Sequence, residues 1–200
     1  MKQLRVSHIK KLSRVEGPGL RYVIWVQGCP LRCKGCFNPH TWDEKGGSLV
    51  ALDELLLDIE QTLLDQPQLE GVTFLGGEPF EQADALSQLG AGIKQLDLTI
   101  VTFSGYTYEQ LKKTTHQPRI ALLALTDLLI DGPYMEELHD LSRPWVGSKN
   151  QNYRFLSDTY KTKSEEILST PNQVEITIKT DGTIHINGMI ATVDLEKLLS

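Results

Sequence analysis

The sequence predicts an α/β protein in which helices cover a parallel sheet and a β-hairpin follows as a carboxyl-terminal extension. Segments of strand length alternate with segments of helical period, and the strand segments are continuously apolar, as in strands buried on both faces. Near the end, "QVEITIKTDGTIHING" places β-branched residues on both sides of an Asp-Gly turn. The 200 residues, 40% of them hydrophobic, suffice for one globular domain with a small appendage. We expect the main domain to span residues 1–156 and the extension to span residues 157–200.

The first half of the chain contains two predicted strands and two predicted helices. Residues 21–28, "RYVIWVQG", are rich in β-branched and aromatic side chains and predict the first strand. Leucine and isoleucine then recur at helical spacing, and we expect Ser48 to cap a helix that ends near residue 65. Residues 71–77, "GVTFLGG", predict the second strand, and residues 81–95 return to the helical period.

The same alternation continues in the second half. Residues 98–105 predict a third strand, and the spacing of Thr107 and Gln110 is that of a capping box at the start of the next helix. The apolar segment "RIALLAL" predicts another short helix before a fourth strand at residues 127–132.

The carboxyl-terminal hairpin has apolar residues on both of its predicted strands, at Val174, Ile176, Ile178, Ile184 and Ile186. A lone hairpin is only marginally stable in water. We therefore expect the hairpin to pack on the α/β body and to bury one apolar face there.

The ends of the four predicted strands combine glycines with polar or metal-binding residues. In parallel α/β sheets, ligands bind beyond the carboxyl ends of the strands. We therefore expect one functional rim formed by Gly28-Cys29, Gly76-Gly77-Glu78-Pro79, Ser104-Gly105 and Asp131-Gly132-Pro133.

All three cysteines of the chain lie within the segment "GCPLRCKGCFNP" and have the spacing Cys-x3-Cys-x2-Cys. An odd number of clustered cysteines argues against a disulfide framework. Soft thiolates select iron–sulfur clusters, zinc or copper(I). Three thiolates would leave one iron of a four-iron cluster open, whereas a structural zinc would need a fourth ligand such as His40. The spacing alone leaves the cluster, the zinc site and unliganded buried thiols as alternatives.

Composition and motifs exclude several classes of function. The net charge of −6 provides no basic surface for nucleic acid, and no apolar run approaches the ~20 residues that a membrane span requires. The start, "MKQLRVSHIKK", has no apolar segment typical of a signal peptide, so we expect a cytoplasmic protein. Neither a nucleophile elbow nor a phosphate loop is present, which argues against hydrolases and nucleoside triphosphatases.

Two motifs together resemble those of a known superfamily. "CPLRCKGC" resembles the cluster loop of radical S-adenosylmethionine enzymes, and "GGEP" is similar to their adenosylmethionine-binding motif. Further segments, in order through residues 5–155, resemble the activating enzyme of the anaerobic (class III) ribonucleotide reductase. These segments are "GPGLR", "GCPLRCKGCFNPHTWD", "FSGYTYEQL" and "LLIDGPYMEELHDLSRPWVGSKNQ". Two features depart from the pattern: Gly35 stands where the superfamily often has an aromatic residue, and residues 157–200 have no recognised counterpart.

The resemblance implies an incomplete, laterally open (β/α) barrel of the radical S-adenosylmethionine type in residues 1–156. It also implies a 4Fe–4S cluster whose open iron is chelated by S-adenosylmethionine, with Cys29, Cys33 and Cys36 as metal ligands and catalytic residues. Reductive cleavage would give a 5′-deoxyadenosyl radical, which would generate a glycyl radical on the anaerobic ribonucleoside-triphosphate reductase. A flavodoxin- or ferredoxin-type protein would be the reductant.

Strand-end residues are the candidates for contact with adenosylmethionine. Gly76, Gly77, Glu78 and Pro79 would meet the methionine moiety, because glycines permit close backbone approach and Glu78 suits an ammonium group. Further candidates are Asn38, Ser104 and Asp131, although each also fits an ordinary turn or strand-end role.

Three alternatives remain open on the sequence. The first is an activating enzyme of another glycyl-radical enzyme, of the formate-lyase type. The second is a small-molecule radical enzyme, which the open rim of a chain shorter than the ~250 residues of a closed barrel disfavours. The third is a non-enzymatic binding module stabilised by a Cys3His zinc site.

Overall fold

The computed structural model describes residues 2–189, which form nine strands and six α-helices. The strands are β1 (Gln3–Ser13), β2 (Leu20–Val26), β3 (Ser48–Ala51), β4 (Leu69–Gly76), β5 (Thr99–Ser104), β6 (Leu128–Asp131), β7 (Asn152–Phe155), β8 (Val174–Ile178) and β9 (Ile184–Gly188). The helices are α1 (Leu52–Asp65), α2 (Ala83–Gln95), α3 (Tyr108–Lys112), α4 (Gln117–Leu125), α5 (Asp158–Lys161) and α6 (Ser164–Leu168). None of these helices is both long and apolar enough to cross a membrane.

The main sheet is a mixed sheet with a parallel centre. Its seven strands follow the order β3-β1-β2-β4-β5-β6-β7. The pairs β2–β4, β4–β5 and β5–β6 are parallel, which confirms the predicted parallel-rich α/β architecture. Antiparallel strands flank this centre, with β1 and β3 on one side and β7 on the other.

The start of the first helix differs from the prediction. Ser48 does not cap a helix, because residues 48–51 form strand β3, in which Ser48 pairs with Val6 of β1. Helix α1 begins only at Leu52, and the residue before it is Ala51, whose methyl side chain cannot cap a helix. Pairing with the edge of the sheet thus replaces the first turn of helix that a serine would have capped.

The two faces of the sheet are covered by different parts of the chain. Side chains of α1, α2 and α4 form the larger core with alternate residues of the strands, such as Ile24 and Phe74. On the opposite face, Val101 and Ile130 pack with Tyr160 of α5 and Ile167 of α6. Residues beyond 156 therefore complete the second face of the sheet.

A buried arginine fastens α5 to the amino end of the sheet. The Arg21 side chain is fully buried and donates hydrogen bonds to Thr73 Oγ1 (2.6 Å), Val72 O (2.6 Å) and Tyr160 Oη (2.9 Å). The Tyr160 hydroxyl also lies 2.8 Å from Thr99 Oγ1. Because a buried guanidinium is costly unless its donors are satisfied, Tyr160 should contribute to stability through this bond as well as through packing.

Strands β8 and β9 form the predicted antiparallel hairpin as a separate two-stranded sheet. The hairpin does pack on the α/β body, with Lys10 Nζ 3.2 Å from Asn187 Oδ1 and Ser13 Oγ 2.9 Å from Glu175 Oε2. These contacts are polar, and Ile178 on the hairpin is 70% exposed. The expected burial of an apolar face against the body is therefore wrong for this hairpin.

The substitution Tyr160→Phe should lower the free energy of unfolding by about 1–2 kcal/mol, because it removes a hydrogen-bond partner of the buried Arg21. Chemical denaturation under two-state conditions measures this change. Tyr108→Phe is the matched control, since within residues 2–189 the Tyr108 hydroxyl makes no hydrogen bond. Equal stabilities of the two variants would contradict the structural role of the Tyr160 hydroxyl.

Candidate cluster and cosubstrate site

The site is built where the parallel strands β2 and β4 end side by side. Val26 and Gly76 are the last paired residues of the two strands. Beyond them, Gly77 N donates to Val26 O (2.8 Å) and Glu78 N donates to Gly28 O (2.9 Å). The segment that contains the cysteines leaves β2 at this point and is therefore held directly beside the Gly-Gly-Glu-Pro segment.

Both glycines at the end of β4 are required by this close approach. A β-carbon at Gly76, whose φ is 104°, would lie 2.8 Å from Trp25 Cα. A β-carbon at Gly77 would lie 2.9 Å from the carbonyl carbon of Gly28, and closer still to its oxygen. Real β-carbons do not approach backbone this closely, so any side chain here would push the two strand ends apart.

The Glu78 carboxylate is buried, with 1% of the residue exposed. Its Oε1 accepts from Phe80 N (3.0 Å) and Ser104 Oγ (2.9 Å), and its Oε2 accepts from Gly105 N (2.8 Å). Burial raises the pKa of Glu78 to about 7, even though these hydrogen bonds favour the ionised form and lower it. A cation beside this carboxylate would favour its ionised form and lower its pKa.

All three cysteines are free and half-buried, and they line one cavity of about 140 Å³ together with Gly76, Gly77 and Glu78. The loop bends through left-handed backbone at Arg32 (φ 47°) and Gly35 (φ 74°). Backbone groups stabilise it, as Cys36 N donates to Cys33 O (3.1 Å) and Asn38 N donates to Cys36 Sγ (3.4 Å). Burial raises the pKa of the Cys29 and Cys33 thiols.

This donor set fits an iron–sulfur cluster with one open iron. Three soft thiols share one cavity wall, and no other cysteine or histidine lines the cavity. His40 is exposed in a single 3₁₀ turn, Pro39–Thr41, and does not line it, so the geometry lacks the fourth ligand of a Cys3His zinc site. Within residues 2–189, no three His, Cys, Asp or Glu side chains are grouped as a site for a single metal ion.

The other predicted contact residues divide into two groups. Asn38 and Ser104 line the cavity, whereas Pro79 and Asp131 do not. Pro79 is buried at the start of the 3₁₀ turn that leads into α2. The fully buried Asp131 accepts from Tyr108 N (2.8 Å) and from Arg154 Nε (2.8 Å). Both carboxylate oxygens of Asp131 are thus engaged within the rim, by α3 and by β7, and the proposed contact of Asp131 with the cosubstrate stays a prediction.

The cavity also contains residues that the sequence did not single out as contacts. Leu31, Phe103, Tyr134 and Gln151 belong to its lining. Trp42, whose ring on the sequence suits either stacking on adenine or core packing, also lines the cavity. The indole Nε1 of Trp42 is buried and has no hydrogen-bond partner within residues 2–189, which leaves a donor available to a bound group. Tyr134 and Gln151 lie in the long "DGPYMEEL…GSKNQ" segment, so that segment was the available signal.

The substitution Gly77→Ala should reduce the iron and sulfide bound after anaerobic reconstitution to well below the wild-type amount, because the two strand ends must separate. Gly92→Ala in α2 is the matched control, since its β-carbon would meet only the flexible side chain of Leu56, at 2.7 Å. Wild-type iron content in the Gly77 variant would contradict the argument from close approach.

Comparisons with known proteins agree with this geometry. The family model described as a 4Fe-4S single cluster domain matches residues 15–154. The anaerobic ribonucleoside-triphosphate reductase-activating protein of Vibrio cholerae is 33% identical over 144 residues, which cover 68% of this chain and 88% of the relative. The protein of the same name from Enterobacteria phage T4 is 30% identical and covers 68% and 85% of the two chains.

Two further matches are more limited. The pyruvate formate-lyase-activating enzyme of Clostridium pasteurianum is 33% identical, over 64% of this chain and 55% of that protein. The crystal structure of QueE from Escherichia coli is similar at 20% identity with a TM-score of 0.39, over 52% and 54% of the two chains. With a domain model matched over most of its length and relatives covered almost end to end, the chain belongs to the family of anaerobic ribonucleoside-triphosphate reductase-activating proteins, which has a 4Fe-4S single cluster domain.

Proposed function

We propose that this protein is a radical S-adenosylmethionine activating enzyme that generates a glycyl radical on an anaerobic ribonucleoside-triphosphate reductase. The observation that supports this most strongly is the single cavity that contains all three cysteine thiols and the Gly-Gly-Glu-Pro strand end. The names of the relatives from Vibrio cholerae and phage T4 point to the same reaction.

Cys29, Cys33 and Cys36 are the proposed ligands of the 4Fe–4S cluster. With three protein thiolates, one iron is left for the amino and carboxylate groups of S-adenosylmethionine. When bound, the cluster and its cosubstrate supply one-electron reductive cleavage of the sulfonium to a 5′-deoxyadenosyl radical. The protein contributes a loop that holds the thiols together and a cavity wall that orients the cosubstrate and excludes competing reactions.

Gly76, Gly77 and Glu78 are the proposed contacts of the methionine moiety. The glycines allow a ligand to approach the strand-end backbone, and the buried Glu78 lacks a cation among its hydrogen-bond partners. A cosubstrate ammonium group would supply that cation and lower the pKa of Glu78 from about 7. Asn38 and Ser104, which also line the cavity, are further proposed polar contacts.

The four parallel strands β2, β4, β5 and β6 are proposed to be part of an incomplete, laterally open (β/α) barrel within residues 1–156. Residues 157–200 would then be an extension of that domain. In support of this, the cavity lies at the carboxyl ends of these strands, where parallel α/β proteins bind ligands. An open side suits a reaction whose substrate is another protein.

The proposed electron donor is a protein of the flavodoxin or ferredoxin type, and the proposed location is the cytoplasm. Cleavage of adenosylmethionine requires one electron for each turnover, and a small one-electron carrier supplies it. The net charge of −6 favours a protein partner over nucleic acid.

Activation of a formate-lyase type enzyme is the second candidate function, because the Clostridium pasteurianum relative is as similar in identity as the reductase activators. The share of each relative's length that the match covers favours the reductase. The match covers 55% of the formate-lyase activator but 88% and 85% of the two reductase activators.

The reconstituted protein, given dithionite and adenosylmethionine, should form a glycyl radical on the anaerobic ribonucleoside-triphosphate reductase of the same organism. Electron paramagnetic resonance detects this radical. Cys33→Ser should abolish both the radical and the bound iron, because it removes a proposed ligand.

His40→Ala is the control for the ligand assignment, and it should retain the iron and the activity. Loss of metal in the His40 variant, or a full radical yield in the Cys33 variant, would contradict the proposed cluster. A radical formed only on a formate-lyase type protein would instead support the second candidate.

A further inference from the structure

The two faces of the carboxyl-terminal hairpin differ sharply in chemistry. Ile176 pairs with Ile186, and Ile178 pairs with Ile184, across the antiparallel ladder. Side chains of directly paired residues point to the same face, so these four isoleucines form one apolar face. The opposite face carries Glu175, Thr177, His185 and Asn187.

The polar face is the one that contacts the body. Lys10 of β1 reaches Thr177 Oγ1 (3.4 Å) and Asn187 Oδ1 (3.2 Å), and its Nζ lies 3.4 Å from Glu175 Oε2. The imidazole rings of His8 and His185 stack with their centroids 6.4 Å apart. These contacts fix the orientation of the hairpin on β1.

The apolar face consequently points away from β1 and is open to solvent. Ile176 is 45% exposed, Ile178 is 70% exposed and Ile184 is 47% exposed. Three large β-branched side chains exposed together on one short hairpin form a contiguous apolar patch, and such patches mark interaction sites.

This patch leads directly to the cluster site. Its fourth member, Ile186, lines a second cavity of about 360 Å³ together with Met189. The second cavity shares Cys36, Asn38 and four other lining residues with the cysteine cavity, so the two cavities lie side by side. Phe37, which is 44% exposed, also lines it, so a further exposed apolar side chain lies beside the cysteine loop.

We propose that the apolar face of the hairpin, formed by Ile176, Ile178, Ile184 and Ile186, is a docking surface for the target protein. This inference rests on the proposed function, in which the target must deliver a main-chain glycine to the cluster cavity. An apolar surface of the target binds the isoleucine face, and the segment that contains the glycine enters through the adjoining cavity. The hairpin lies outside residues 15–154, the part that matches the family model, so this contact would add to those made by the family domain.

The chemistry of the face selects this occupant. The four isoleucines provide no charge for nucleic acid or for an anionic ligand, and apolar side chains are typical anchors of protein–protein interfaces. The face also borders the second cavity, which shares part of its lining with the cysteine cavity. A second copy of this chain, or its own residues 190–200, would be a different occupant, and the test below separates these outcomes.

The double substitution Ile176→Ser and Ile178→Ser should raise the KM for the reductase by about 10-fold or more, since two exposed apolar anchors are lost. The kcat for glycyl radical formation and the target-free release of 5′-deoxyadenosine should stay within about 2-fold of the wild type, because neither residue lines the cluster cavity. Leu57→Ser with Leu64→Ser is the matched control, since these leucines are 64% and 69% exposed on α1. The control should leave KM unchanged.

Several results would overturn this inference. An unchanged KM in the hairpin variant, while the wild type forms the glycyl radical, would reject the docking surface and leave the proposed function intact. Absence of any glycyl radical with the wild type would reject the proposed function, and the docking surface with it. A dimer that dissociates in the hairpin variant would assign the face to a second copy. A loss of thermal stability beyond that of the leucine control, at an unchanged KM, would assign it to the chain's own residues 190–200.

Discussion

The site depends on one steric constraint, the contact between the ends of β2 and β4. Gly77 and Glu78 donate their backbone N–H groups to carbonyls of Val26 and Gly28, with no room for a side chain between the strands. This contact decides where the cysteine loop leaves the sheet. It also places Glu78 in the same cavity wall as the thiols. The need for glycine at this contact therefore determines how the cysteine loop and the Gly-Gly-Glu-Pro segment lie relative to each other.

The remaining rim is organised by buried carboxylates that accept backbone N–H groups. Glu78 joins the end of β4 to the end of β5 through Ser104 and Gly105. Asp131 joins the end of β6 to the start of α3 and to Arg154 of β7. Charge-assisted hydrogen bonds of this kind are stronger than neutral ones and hold neighbouring strand ends in fixed relation. The two carboxylates differ in one respect that matters for function. Glu78 borders the cavity and has no cationic partner among residues 2–189, whereas Asp131 has Arg154.

The elements that the sequence predicted are those with a clear apolar pattern. The four parallel strands, the main helices and the hairpin lie close to their expected positions because buried strands and amphipathic helices have distinct periods. Strand β1 was missed because its sequence, "QLRVSHIKKLS", mixes polar and apolar residues without a continuous apolar run, and β3 and β7 have only four residues each. Asp131 shows a second limit: position at a strand end predicts the rim but not which side chain faces the cavity. The hairpin shows a third limit. Its polar side chains make hydrogen bonds and an ion pair with side chains of β1, so its apolar face does not turn toward the body as the sequence pattern predicts.

In the proposed function, the strand-end contact places the cosubstrate at the open iron of a cluster held by three cysteines. The most direct measurement is the electron paramagnetic resonance spectrum of the reduced, reconstituted protein with and without S-adenosylmethionine. The cosubstrate should change the g values of the cluster signal, because it would coordinate one of the irons. An unchanged spectrum under saturating cosubstrate, with the cluster intact, would contradict it.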